Sequence, residues 1–257
     1  IIRNNNSTLN HYYGENLPPA YIKDIGLELL YDVRHWGPNH KNARVWLENA
    51  IDTEIYGNDF HGDLGGIVGP GSAGTGAGPS GRLDIYQNTL HHFVDYALEK
   101  IVDNVVTAHI HDNLIIEPGL EFWREDFVNN SATVYLYRNR FYRISDNSTC
   151  GPGGYHGCGT NDIEISGTDA KMYFYHNSFA GYVGMALGGY YNYFGGSSGG
   201  LPNTWIVNNI FSEGHQPWSY NGNEWLWNPG PRYHLHYNWL GGADDWSLYF
   251  STGLNSG

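Results

Sequence analysis

Several residues between positions 54 and 137 carry the chemistry of bond-breaking catalysts. Glu54 and Asp84 supply carboxylates, His109 and His111 imidazoles, Tyr86 and Tyr137 phenols, and Asp112 follows His111 directly. Two carboxyl groups held about 5–5.5 Å apart act as nucleophile and acid/base in retaining glycoside hydrolysis. Imidazole and phenol together can take the C5 proton of a uronic acid and re-protonate the sugar or expel its leaving group. That second reaction needs a cation over the substrate carboxylate, and Arg138 and Arg140 are the local candidates. Calcium held by Asp or Glu oxygens would do the same. None of this operates unless the fold gathers residues that lie far apart along the chain.

A repeat does the gathering. The stretches "DIYQNTLHH" (84–92), "VYLYRNRFY" (134–142), "MYFYHNSFA" (172–180) and "HLHYNWLGG" (234–242) share one pattern: an apolar residue, an asparagine three positions on, and another apolar residue two after that. Aligned on the asparagine there are copies at Asn58, Asn88, Asn113, Asn139, Asn177, Asn209 and Asn238, at intervals of 30, 25, 26, 38, 32 and 29 residues. Three positions before stand Ile55, Ile85, Ile110, Leu136, Phe174, Ile206 and Leu235. Two positions after stand Phe60, Leu90, Ile115, Phe141, Phe179, Phe211 and Leu240. Alternation before the asparagine is strand patterning, and a period above 20 residues with variable loops marks a solenoid. With 35 glycines, few segments could sustain a helix of several turns. Further strands are expected at 97–101, 120–123, 162–166, 184–188, 224–227 and 247–250, so each copy carries two or three. The asparagine belongs at a bend, its amide bonding to backbone groups the turn leaves unpaired and to the asparagines above and below.

The register sets the outward side chains. Four positions before each asparagine the column reads Glu54, Asp84, His109, Tyr135, Tyr173, Trp205, His234. Two positions before, it reads Tyr56, Tyr86, His111, Tyr137, Tyr175, Val207, His236. A face so rich in aromatic and imidazole rings suits a sugar groove, with flat rings against pyranose C–H faces and phenol or imidazole bonded to hydroxyls. Tyr56, Tyr135, Tyr173, Tyr175 and Trp205 are the expected substrate-binding rings, joined by Arg138 and Arg140. Cross-strand packing that merely stabilises the sheet accounts for the same residues.

The repeat resembles the right-handed parallel β-helix superfamily of pectate-lyase-like enzymes, alginate epimerases and lyases, polygalacturonases and phage tailspikes, over roughly residues 45–250. The resemblance implies an all-β fold, a right-handed parallel β-helix of about seven to nine coils. Residues 1–44 fit poorly and would be broken first coils or a cap, with the helix occupying 45–257. "YGNDFHGD" offers Tyr56, Gly57, Asp59 and His61 of the Tyr-Gly-x-Asp-x-His-Asp element of alginate C5-epimerases, with Asp63 displaced by Gly62. Of the polygalacturonase motifs only Asp244-Asp245 is present. "GPGSAGTGAGPSG" (69–81) lacks the Lys-Ser/Thr of a phosphate loop and is expected to be flexible. The resemblance implies either a polysaccharide lyase or glycoside hydrolase, or a non-catalytic glycan-binding, fibre or tailspike-like module.

Bulk composition narrows the partners. A hydrophobic content of 40% supports a core, while Asp and Glu (26) outnumber Lys and Arg (13), for a net charge of −13. That balance argues against nucleic-acid binding. No apolar run is long enough for a membrane span, and none is expected to be a signal peptide. The opening "IIRNNNSTLN" lacks an initiating Met and is taken as a trimmed start, with "IIRN" the tail of an earlier coil; the chain would then be the remainder of a longer solenoid, or one subunit of a homo-oligomer that covers its ends. Cys150 and Cys158 bracket "GPGGYHG" and are expected to form a disulfide. With sequons at Asn129 and Asn147, this points to a secreted or periplasmic protein. The sequence does not settle whether a metal binds.

Overall fold

The computed structural model describes residues 1–3, 6–7, 43–47, 49–61, 65–69, 78–93, 96–102, 104–116, 122–128, 132–143, 163–167, 170–181, 185–187, 203–212, 219–220, 223–224 and 233–241. Among them the regular structure is all strand, with no helix, and thus none long and apolar enough to cross a membrane.

The strands form three parallel sheets. The first pairs Ile2–Arg3, Ile51–Tyr56, Ser80–Tyr86, Asn104–His111, Thr133–Tyr137, Lys171–Tyr175, Asn203–Val207 and Tyr233–His236 in that order. The second pairs Asn6–Ser7, Asp59–His61, Thr89–His91, Leu114–Ile116, Arg140–Arg143, Ser178–Gly181, Ile210–Ser212 and Trp239–Gly241. The third contains Ala43–Trp46, Gly65–Val68, Leu98–Glu99, Trp123–Val128, Ile163–Gly167 and Met185–Leu187. From Ile51 to Leu187 the chain visits the three sheets in turn, so each repeat has three strands, the upper figure expected from sequence. One small antiparallel pair, Ser219–Tyr220 with Asn223–Glu224, stands apart.

Each asparagine sits between a first-sheet and a second-sheet strand, and the repeats pair in the register the alignment gives. Ile55 faces Ile85, Ile85 faces Ile110, and so on to Ile206 opposite Leu235. Residues 2–3 and 6–7 also pair in that register, with 55–56 and 59–60. Part of the poorly fitting 1–44 segment is therefore a further repeat on both sheets. Of the strand expected at 120–123, residues 120–121 lie outside the described residues and Trp123 opens the strand Trp123–Val128, with Phe122 and Trp123 both buried. Of the strand expected over 224–227, Glu224 lies in the antiparallel pair and 225–227 lie outside the described residues. The region 247–250, Cys150, Cys158, Asn129, Asn147, Asp63 and Asp244-Asp245 lie outside the described residues, as does most of 69–81.

The interior is built by the two apolar columns. Ile55, Ile85, Ile110, Leu136, Phe174 and Ile206 are buried, as are Phe60, Leu90, Ile115, Phe141 and Phe179. Leu83, Ala108, Val134, Met172 and Thr204, five positions before the asparagine, add a third inward column. At the bend each asparagine from Asn88 to Asn209 is fully used, with Asn58 and Asn238 ending the ladder among the described residues. Its backbone N–H donates to the Oδ1 of the next asparagine at 2.9–3.0 Å, and its Nδ2 donates to the same oxygen at 2.9–3.1 Å. The second Nδ2 proton goes to the preceding repeat, for example Asn139 to the carbonyl of Ile110 at 2.8 Å. A buried amide with both donors and both lone pairs satisfied incurs no desolvation deficit.

The bend has a backbone cost. The residue before each asparagine has positive φ: Gly57 (65°), Gln87 (55°), Asp112 (55°), Arg138 (54°), His176 (59°), Asn208 (55°) and Tyr237 (56°). Only one is glycine, and the left-handed region costs other residues roughly 1 kcal/mol or more. The bonds made by the following amide hold them there.

Candidate functional site

The first sheet presents its outer face as two rows of rings. In the row two before the asparagine, Tyr56 stacks on Tyr86 at 4.7 Å between centroids, Tyr86 on His111 at 5.0 Å, His111 on Tyr137 at 4.6 Å and Tyr137 on Tyr175 at 5.0 Å. In the neighbouring row the order is His109, Tyr135, Tyr173, Trp205 and His234, with spacings of 4.8, 5.0, 4.5 and 4.7 Å. All these planes lie within 17° of parallel. The strand separation of a sheet is close to the thickness of stacked rings, so in-register aromatics fall face to face.

This corrects one sequence expectation. The outward columns are where they were placed, but the faces of Tyr86, His111, Tyr137, Tyr135, Tyr173 and Trp205 are covered by ring neighbours on both sides. They turn edges and polar atoms outward rather than flat faces. Tyr56 and Tyr175 each stack on one neighbour within the row, and Arg3 donates a hydrogen bond to the Tyr56 hydroxyl at 3.2 Å.

The titratable cluster occupies the N-terminal end of these rows. Glu54, Asp84 and His109 are register partners on three successive strands. Asp84, expected on the open face, is instead 5% exposed. Its Oδ2 accepts from Arg82 Nη2 at 2.7 Å, and its Oδ1 is buried without a hydrogen-bond partner among the described residues. A buried carboxylate oxygen without a hydrogen-bond partner is uncommon, and a catalytic role or a bound group is one explanation of it, beside strain or an ordered water. Burial holds the His109 imidazole below its ordinary pKa, against the pull of the Asp84 charge, so its neutral form is favoured near neutral pH. Burial and the Glu54 carboxylate both push the Tyr86 phenol up, and burial does the same for Tyr137.

A second network joins the same rows at the bend. His111 Nδ1 lies 2.8 Å from Asp112 Oδ2, and Arg138 grips the same carboxylate with Nε on Oδ1 at 2.7 Å and Nη2 on Oδ2 at 2.6 Å. The Arg138 hydrogen bonds pull the Asp112 carboxyl down to about 2. Asp112 thus orients His111 between its two tyrosine neighbours, a base-and-orienter geometry. Arg138 was expected to face a substrate carboxylate; here its fork is filled by Asp112, and its guanidinium also lies 4.8 Å from the Tyr137 ring. Arg140 is exposed as expected but belongs to the second sheet, beyond the bend from the ring rows. Arg82, which sequence reasoning passed over, is the cation next to Glu54 and Asp84. Its position two before Asp84 was the available signal, since alternation turns both the same way.

The second sheet carries a cluster of its own. Asp59 Oδ1 lies 2.9 Å from His91 Nε2 and 3.3 Å from His61 Nδ1, and the two imidazoles overlap at 4.6 Å. Burial alone would raise the Asp59 pKa, but hydrogen bonds from His91 and then His61 outweigh it and hold the carboxyl below its usual value. Sequence reasoning noted Asp59 and His61 as a motif fragment and missed His91, although both histidines stand three positions after their asparagine.

No protein-family model, curated protein or solved structure matches this chain.

Proposed function

We propose that the chain is a secreted or periplasmic right-handed parallel β-helix that binds a polysaccharide along the outer face of the first sheet and cleaves it at the end where Glu54, Asp84 and His109 meet. What carries the proposal is the open Oδ1 of buried Asp84, flanked in register by Glu54 and by an imidazole of depressed pKa. In a hydrolytic mode Asp84, paired with Arg82, and Glu54 share the nucleophile and acid/base roles across one strand spacing. In an eliminating mode neutral His109 takes the C5 proton while Arg82 neutralises the uronate carboxylate; the C4=C5 double bond forms as the C4–O glycosidic bond breaks, and the leaving oxygen takes its proton from the Tyr86 phenol. Tyr86, His111 and Tyr137 line the approach, and the ring edges of Tyr135, Tyr173, Tyr175 and Trp205 extend it with hydrogen-bonding atoms for sugar hydroxyls. Calcium is not required in either mode.

A non-catalytic glycan-binding or fibre module is the second reading. The ring-on-ring stacking favours it, because covered faces serve the sheet's stability as readily as a ligand. A panel of neutral and acidic polysaccharides separates the two. Unsaturated uronate ends indicate elimination, and new reducing ends alone indicate hydrolysis. Asp84→Asn should lower hydrolysis, and His109→Ala elimination, by about 10²-fold or more with unchanged binding. Binding without any product across the panel would leave only the module.

A further inference from the structure

The second-sheet cluster lies around the bend from the ring rows and plays no part in the proposed cleavage. From its donor set we infer a transition-metal site formed by Asp59, His61 and His91, clipping two neighbouring repeats together. Asp59 Oδ1, one nitrogen of His61 and one of His91 all lie within 4.8 Å of one another, on half-buried side chains. An ion with bonds of about 2.0–2.2 Å separates tetrahedral ligands by roughly 3.3–3.6 Å. The 2.9 and 3.3 Å contacts to Asp59 already approach that, and a small side-chain rotation brings the remaining pair in.

Backbone pairing fixes the arrangement. Asp59 and His61 lie on Asp59–His61, His91 is the register partner of His61 on Thr89–His91, and the alternation that buries Phe60 and Leu90 sends the three ligands outward together. A fourth residue supplies the support metal histidines usually have. His91 Nδ1 is 2.6 Å from His92 Nδ1, so His91 can donate its Nδ1 proton there and present the Nε2 lone pair toward Asp59. His92 is set for this by a positive φ of 55°. Two imidazoles and one carboxylate suit zinc, cobalt, nickel or copper and not calcium or magnesium, whose preference is for oxygen. Three protein ligands leave a position for water or a further donor.

The test is titration of the full, chelator-stripped chain with Co(II), followed by visible d–d bands, and with Zn(II), in competition with a chromophoric chelator. One equivalent should bind with a low-coordination cobalt spectrum, and zinc should raise the melting temperature. His91→Phe keeps a ring against His61 but removes the nitrogens; it should lose tight binding altogether, and so should His61→Ala. His92→Ala should weaken affinity about 10- to 100-fold with the stoichiometry kept. His234→Ala, at the far end of the first sheet, serves as the control and should bind as the parent does. Equal affinity in the parent, His61→Ala and His91→Phe would overturn the site, as would the weak spectrum of hydrated cobalt throughout. Because the readout is metal binding, it is independent of whether any polysaccharide is cleaved.

Discussion

The buried asparagine column and the exposed ring rows are built on the same register and do different work. Inside, identical side chains meet with every donor and acceptor matched, so repetition there produces rigidity. Outside, rings of unlike chemistry (phenol, imidazole, indole) meet through their faces, which are interchangeable, while their polar edges are free to differ from repeat to repeat. A parallel stack can therefore hold its geometry with one column and vary its chemistry with the next.

The sharpest way to break this contrast is to attack the inner column. Asn139→Leu strands the backbone N–H and one Nδ2 proton of Asn113, the carbonyl of Ile110 and part of the Oδ1 of Asn177. At ~1–3 kcal/mol for each buried group left unsatisfied, destabilisation should reach at least that range and show as a clear drop in a urea midpoint. In the outer row, Tyr173→Ala removes two stacks, on Tyr135 and Trp205. About 0.5–1.5 kcal/mol per pair makes this a smaller loss in the same assay, and it should weaken glycan binding as well.

The Asp112 network has a pH signature. Its folded pKa, about 2, is depressed from the ordinary 3.8, so its contribution is complete above the ordinary value and lost as pH falls toward about 2. With solvent screening of this part-exposed group the amount is about 1 kcal/mol. Asp112→Asn should thus lower stability by about that much at pH 7 and flatten the acid limb between about pH 4 and pH 2; an unchanged acid limb would remove the ion pair from the account. The smallest effect is expected at the bend. Gln87→Gly relieves a φ of 55° on an exposed residue, and after the added unfolded-state entropy it should be neutral to about 0.5 kcal/mol stabilising.

Much of the frame was legible in the sequence because burial and hydrogen bonding both demand particular residue types. Asn at the bend and large apolar residues three before and two after are required for the interior to close, so Asn139, Leu136 and Phe141 announce themselves. The outward columns followed by parity, which placed Glu54, His109 and Tyr135 correctly as a row. Other features left no such trace. The left-handed residues before the asparagines are Gly, Gln, Asp, Arg, His, Asn and Tyr, which share a backbone angle and no side-chain property. Ring orientation depends on side-chain torsions, so face-to-face stacking was invisible while ring content was plain. Asp84 was misjudged as open because parity gives the side of the sheet and not how deeply a short side chain lies on it. His91 was overlooked because the columns after the asparagine are chemically mixed, with Ile116, Tyr142 and Ala180 in its place on later repeats.

Matched amides in one continuous inner column set the register for everything outside it. Hydrogen exchange of the side-chain amides, followed by NMR on selectively labelled asparagine, tests this directly. Asn113, Asn139 and Asn177 should exchange only with global unfolding, their protection falling together in Asn139→Leu. Exchange at the rate of a free carboxamide in the parent protein would contradict the ladder, and with it the placement of both ring rows.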